Sequence, residues 1–388
     1  MTSPRPPIPP SADPPNAAGS GHTSTVSEEG RTFPCEECGA DLEFHIGVQS
    51  LKCPYCGHVK AISLDPDAVV AERDFREMLA NIADRRSRDQ RDEQQGFKEV
   101  RCASCGGTVR FTGTLTSSQC AYCGGPLQLD NVHDSADRIP VDGVLAFQLD
   151  RRQAWENLRS WIKSRWFAPS DFKKYGIEGR FNGVYLPFWT FDALTHNRYV
   201  GLRGEHYWVT VGSGKSRRRV MRTRWYPASG AFQRFFDDVL VVAGTGLPTR
   251  RLDALEPWPL KQCVPFRQEM LSGFLARTYD VELDAGFDQA RTIIDAAVAD
   301  EVRRRIGGDV QQVQSVVTRY DAVTYKHLLL PVWMLAYRFR DKPYQVVVNA
   351  GTGEVQGDRP YSGIKITLAV LAGLAATGTI ALFVANLG

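Results

Sequence analysis

The sequence predicts an α+β protein built from two tandem small zinc ribbons, a mixed helix-plus-antiparallel-sheet domain with internal duplication, and one C-terminal transmembrane helix. Three observations predict it. Eight of the nine cysteines fall in CxxC pairs before residue 124, helical and alternating apolar patterns interleave from Ile139 to Ser362, and the last 23 residues carry no charge. The corresponding segments are a Pro-rich tail (1–30), ribbon 1 (31–65), a charged helical linker (66–97), ribbon 2 (98–131), a central α+β domain (139–362) and a spanning helix (365–387).

The first 30 residues are dominated by Pro, Ser, Gly and Ala. Such a segment lacks the apolar surface needed to offset its ordering entropy, and a disordered tail is expected. It holds no apolar run behind a basic start, so no signal peptide is expected and the bulk of the chain is placed in the cytosol. The net charge of +3 over 388 residues is too small to argue for a nucleic-acid partner, although arginines cluster locally.

The two cysteine-rich segments, "CEECGADLEFHIGVQSLKCPYCGH" and "CASCGGTVRFTGTLTSSQCAYCGG", share one spacing. Each reads C-x2-C, fourteen residues, C-x2-C, and an offset of 67 also aligns Phe44 with Phe111, Tyr55 with Tyr122, Gly39 with Gly106 and Gly57 with Gly124. Two residues between cysteines let one turn aim both thiolates at a single ion, and the glycine after the second cysteine is suited to the unusual backbone angle that the turn needs. The candidate ligand sets are Cys35, Cys38, Cys53 and Cys56, then Cys102, Cys105, Cys120 and Cys123, holding two structural Zn2+ ions. With thiolate in all four positions no coordination site stays open for water, which argues against catalytic zinc. Cys263 stands apart and is expected to be a small buried hydrophobe.

Between the ribbons, Val70, Phe75, Met78, Leu79 and Ile82 recur at helical spacing ahead of a mixed-charge run, the pattern of a spacer helix. In the central domain, "DRRQAWENLRSWIKSRWF" places Trp155, Leu158, Trp161, Ile162 and Trp166 on one helical face, and "DAGFDQARTIIDAAVADEVRRRIGG" is a second helix. "YLPFWTFDA" and "LLPVWMLAY", 144 residues apart, suggest two related halves. No catalytic constellation is apparent, and the chain is expected to have no enzymatic activity. "VGSGKS" carries the core of a phosphate loop, but Val209 stands where the full motif needs its first glycine. The flanking segments are rich in β-branched and aromatic residues, so strand–turn–strand is the expected structure. Asp237 and Asp238, adjacent on a strand, are expected to face opposite ways and to make a poor metal pair, one of them pairing with an arginine. Arg217, Arg218, Arg219, Arg222 and Arg224 are the candidates for contact with an anion, phosphate on lipid or nucleic acid.

"IKITLAVLAGLAATGTIALFVANLG" is uncharged from Ile366 to Leu387, a length that would cross the roughly 30 Å of bilayer hydrocarbon as a helix. Arg359 and Lys365 precede it, so the positive-inside rule leaves the N-terminal bulk in the cytoplasm, anchored by a single pass.

Taken together, the duplicated ribbons, "VYLPFWTFDA", "TRWYPASG", "FDDVLV", "RRRIGGDVQ", "YKHLLLPVWMLAYRFR", "VNAGTGEVQGDRPYS" and the terminal apolar segment resemble a family of bacterial TFIIB-type zinc-ribbon membrane proteins. Members are often labelled primosomal protein N′ (replication factor Y) or PriA-like helicase, yet this chain lacks the nucleotide-binding motor of such a helicase. It is similar to the zinc-ribbon membrane subunit that accompanies phage-shock protein A and an SPFH protein in Bacillus. That resemblance implies a non-enzymatic, membrane-anchored adaptor or scaffold in membrane stress, with SPFH-like or phage-shock protein A-like partners and the lipid bilayer as contacts. The alternative is a nucleic-acid-binding zinc-ribbon protein related to replication restart.

Overall fold

The computed structural model describes residues 33–63, 68–88, 98–101, 108–111, 115–119, 126–128, 138–167, 169, 180–244, 249–339, 342–358 and 362–387. In chain order the elements are β1 (Glu43–His45), β2 (Ser50–Lys52), β3 (Val59–Lys60), β4 (Arg73–Asp74), α1 (Phe75–Arg88), β5 (Lys98–Arg101), β6 (Thr108–Phe111), β7 (Leu115–Gln119) and β8 (Pro126–Gln128). There follow β9 (Gly143–Val144), α2 (Arg151–Ser164), β10 (Arg180–Val211), β11 (Arg218–Val242), α3 (Thr249–Asp253), β12 (Val264–Pro265), β13 (Leu275–Arg277), α4 (Leu283–Ile306), β14 (Val310–Phe339), β15 (Lys342–Asn349), β16 (Val355–Gly357) and α5 (Gly363–Leu387).

Strand dominates, which corrects the α+β class that the sequence predicts. β10, β11 and β14 are 32, 25 and 30 residues long, several times the usual strand length, and lie antiparallel in the order β11-β10-β14. The aromatic and β-branched run from Arg180 to Val242 looks irregular in sequence because its core-facing half is buried on both faces while its distal half is exposed. No single alternation therefore holds along it.

The two similar segments of the central domain lie side by side. Leu186 pairs with Leu330, Tyr185 with Pro331 and Pro187 with Leu329, the register of an approximate twofold axis through the sheet. Parallel strand β13 joins β10 at Val184 and Tyr185, as β9 joins β14 at Leu328 and Leu329. Past each proline the neighbour changes, to β11 for β10 and to β15 for β14. The Pro187 carbonyl accepts from the Ala243 N–H and the Pro331 carbonyl from the Ala350 N–H. Each proline thus turns its polar edge to the gap between two neighbours, where a missing N–H breaks no ladder bond. The indole of Trp189 donates to the Val281 carbonyl and that of Trp333 to the Leu149 carbonyl, both at 2.9 Å. Each half therefore anchors the segment leading into the other half's helix.

The helices cover the sheet by regular apolar spacing. α2 starts in a capping box at Asp150 and buries Ala154, Leu158 and Ile162, whereas Trp166 lies beyond its end and is exposed. α4 buries Leu283, Gly286, Ala290, Ile294, Val298, Val302 and Ile306, a stripe along one face. α1 packs Met78, Leu79 and Ile82 against the same core as Phe75, while Val70 precedes the helix and meets β9 at Gly143. The GSGKS segment is the tip of the β10–β11 hairpin, a short 3-10 turn over Gly214–Ser216 with Gly212 at φ +89°.

Among the described residues no helix is long and apolar enough to cross a membrane. α5 is helical as expected over Gly363–Leu387, but it does not meet that requirement. The transmembrane helix predicted over 365–387 and the single-pass inner-membrane location are withdrawn.

One close packing contact gives a direct check on the core. A Cβ at Gly286 would lie 2.6 Å from Cδ1 of Trp189. Gly286→Leu is expected to destabilise the chain by about 1–3 kcal/mol through overpacking, read as a lowered urea midpoint by tryptophan fluorescence.

Candidate metal centre

Ribbon 1 is formed by two turns of one design. In the first, the Cys35 N–H donates to the Ala40 carbonyl at 2.7 Å and the Gly39 N–H to the Cys35 carbonyl at 2.8 Å. In the second, the Cys53 N–H donates to the His58 carbonyl at 2.8 Å and the Gly57 N–H to the Cys53 carbonyl at 3.1 Å. Gly39 and Gly57 adopt φ of +70° and +78°, the left-handed angle that closes each turn and that glycine reaches without steric cost. β1 and β2 carry the chain from one turn to the other, pairing Phe44 with Leu51.

The four sulfurs converge. Cys35 Sγ lies 3.6 Å from Cys56 Sγ and Cys38 Sγ 3.5 Å from Cys53 Sγ, and all four lie within 4.8 Å of one another. Such a set can hold one metal ion. The Cys56 backbone N–H, followed by that of Tyr55, holds the Cys53 thiol down at about 6 against the opposing effect of burial, while, against the His58 backbone N–H, burial and the neighbouring sulfurs push Cys56 up to about 12, so without a metal the set favours one thiolate first. Cys35 and Cys53 are buried, whereas Cys38 and Cys56 are exposed. The predicted ligands Cys102, Cys105, Cys120 and Cys123 of ribbon 2 lie outside the described residues.

The inner face of ribbon 1 is fastened to the body. The Phe44 N–H donates to the Ser272 carbonyl, and the Ser272 hydroxyl donates to the Leu42 carbonyl at 2.7 Å. Gln49 Nε2 donates to the Phe147 carbonyl at 2.9 Å. Leu42, Phe44 and Leu51 share one apolar cluster with Phe147, Met270 and Leu271, so ribbon and sheet have a common core. Elsewhere on the ribbon Tyr55 is 81% exposed, and Val48 and Val59 are about half exposed.

A second convergence of acids lies on the central sheet and corrects the expectation for Asp237 and Asp238. A bulge puts Asp238 at φ +51°, and a matching irregularity on β14 puts Ala322 at +46°. The strand alternation is broken there, and Asp237 and Asp238 both present oxygens within 4.8 Å of buried Asp192. The expected arginine partner is replaced by Lys326, whose Nζ lies 2.8 Å from Asp238, 3.5 Å from Glu72 and 3.8 Å from Asp192. An ammonium ion of the protein thus already balances two of the three aspartates. The Asp238 N–H donates to Asp192 Oδ1 at 2.6 Å, yet burial raises the Asp192 carboxyl to about 6.

The predicted anion contacts are well separated from both clusters. Arg217 caps the turn at the tip of the β10–β11 hairpin, and Arg218, Arg219, Arg222 and Arg224 follow on β11, all exposed. Cys263 is half-buried, its thiol pushed up to about 12 by burial. Sequence reasoning missed the Asp192–Lys326 cluster. Its members are 134 positions apart, and the bulge that gathers them has no glycine to announce it.

A protein of Bacillus subtilis (strain 168), "Uncharacterized protein YdjG", is 25% identical to this chain over 336 residues, covering 86% of this chain and 92% of the relative. No protein-family model matches the chain, and no solved structure matches it.

Two outcomes follow from these clusters. Gly57→Val forces a β-branched residue into the left-handed region at a cost of about 1–2 kcal/mol and is expected to weaken metal retention, read by the chelator concentration that strips half the metal. Asp192 binds its proton more tightly in the folded chain than the roughly 3.9 of an unfolded aspartate, so the folded state holds more protons between those values. Stability should therefore fall as pH rises from about 4 to about 6 and level off above. Asp192→Asn should flatten that slope in urea titrations at stepped pH.

Proposed function

We propose that the chain is a non-enzymatic adaptor whose first ribbon is a structural zinc site presenting a fixed contact surface to a protein partner. The observation that carries this reading is the mounted ribbon: four cysteine sulfurs converge within it, one side is bonded to the body, and Tyr55 and Val59, near the second pair of cysteines, are exposed to solvent. Zinc–sulfur bonds of about 2.3 Å in a tetrahedron set sulfurs about 3.8 Å apart, close to the 3.5 and 3.6 Å separations here. Zinc bound there supplies folding free energy and no reactive position, since protein sulfur fills all four sites. Exposed tyrosine beside aliphatic residues is the composition of an interface anchor.

Nothing else in the described residues competes as a reaction centre. The cleft of about 500 Å3 beside β4 and β12 has Arg73 and Asp142 on its wall, but their side chains are 2.5 Å apart and spend their charge on each other. The same duplicated spacing supports a second zinc held by Cys102, Cys105, Cys120 and Cys123. Resemblance to the zinc-ribbon subunit described above makes SPFH-like and phage-shock protein A-like proteins the partners to try first.

The test mixes the purified full chain with each of these proteins and compares it with Tyr55→Ala/Val59→Ser. The expected result is binding weakened about tenfold or more in the variant, with zinc content unchanged. Equal binding by both chains, or no binding by either, overturns the adaptor reading.

A further inference from the structure

We propose that the β10–β11 arm binds single-stranded nucleic acid, with arginines of one face on phosphates and the tyrosines between them stacked on bases. The arm begins where the sheet thins. β14 pairs with β10 only as far as Gly204, opposite Val310, so from Glu205–Arg224 to Val211–Arg218 the structure is a two-stranded ribbon. At about 3.3 Å per residue it extends roughly 23 Å beyond the third strand.

Its charge is out of proportion to that of the chain. Between Asn197 and Arg234 there are nine arginine and lysine side chains and one acid, Glu205, while the whole chain carries only +3. The remainder is therefore net negative, and the cationic field is concentrated on the arm. Glu205 is held by Arg203 at 2.6 Å, and Asp309 at the root accepts from the His206 backbone N–H. Glu205 also faces Arg224 and lends it charge, whereas among the described residues neither acid forms an ion pair with Arg218, Arg219 or Arg222.

Cross-strand pairing sorts the side chains into two faces. One face carries the pairs Arg203–Tyr226, Glu205–Arg224, Tyr207–Arg222 and Val211–Arg218. Arg224 lies over the Tyr207 ring at 5.1 Å and also bonds to Tyr226, so guanidinium groups and phenol rings alternate along the ribbon. The opposite face carries Trp208 with Met221 and Trp225 across Gly204, with Arg219 over the Trp208 ring at 5.7 Å. Arginines positioned among exposed rings match a polymer that alternates charge and π-surface, and single strands offer such surfaces where paired bases do not. A two-stranded ribbon is marginal in water without added interactions, and the cross-strand ring and guanidinium contacts hold it in the extended shape that such a ligand needs.

The test titrates labelled oligothymidylate with the full chain at stepped salt. For single strands the slope of log affinity against log salt is about −0.7 per phosphate neutralised, so the triple Arg218, Arg222, Arg224→Ala variant should lose a slope of about 2. Tyr207→Ala/Tyr226→Ala should weaken binding at least about fivefold at fixed salt with little change in slope. Trp208→Ala/Trp225→Ala, on the other face, should bind as the unmodified chain does. All these positions face solvent wholly or in part, and unchanged urea midpoints identify the variants as folded. No binding at about 50 mM salt, or a slope unaltered by the arginine variant, overturns the proposal. So does tighter binding to a duplex of the same length, or to phosphatidylglycerol vesicles, that is indifferent to the tyrosines.

Discussion

The β10–β14 ladder is the constraint on which the rest of the molecule depends. From Arg180 opposite Ala336 to Gly204 opposite Val310 two strands run antiparallel with two irregularities, and nearly every other element takes its position from one of their outer edges. β9 and β15 attach to β14, and β13 and β11 to β10. α4 lies across the ladder with Gly286 against Trp189 and Ile306 near Gly201, so the helix has its contacts set at both ends by strand residues. A pairing this long is non-local, and its loop-closure entropy is recovered only when the apolar faces of both strands are covered. The crossed indole bonds, Trp189 to Val281 and Trp333 to Leu149, make that covering mutual.

Ribbon 1 gains its placement from this body. A small ribbon has little core of its own, and here Leu42, Phe44 and Leu51 enter the cluster around Phe147. A metal held by the four sulfurs would stabilise the same turns that the body supports. Tyr55 stays exposed beside the sulfur cluster.

What was legible in the sequence is what depends on short-range chemistry. The C-x2-C spacing and the glycines at 39 and 57 foretell the two turns, because a tight turn with both thiolates on one side allows few alternatives. The buried stripe of α2 and the existence of α4 were legible for the same reason, except that Trp166 falls past the end of α2. Strand length was not legible: a segment that passes from a two-sided core into an exposed arm changes its apolar period on the way. The Asp192 cluster was hidden because a bulge overrides alternation, and adjacent aspartates that a regular strand would separate are turned to one side. The terminal apolar segment shows the reverse case. Its composition suggests a span, while the described residues contain no helix that meets the requirement.

β11 has a further consequence. Among the described residues it pairs with β10 alone, so its other margin has no strand beside it, the geometry that invites copies of a chain to zip together. Arg218, Arg219, Arg222 and Arg224, the proline at 227 and the kink at Asp238 lie along that margin. Mutual repulsion between guanidinium groups would oppose the approach of a second identical margin, and the proline and the kink would interrupt its ladder. Colloidal stability of this chain should thus be tied to the same cations that give the arm its field, and anything that screens them, such as concentrated salt or a bound polyanion, loosens a safeguard against self-association.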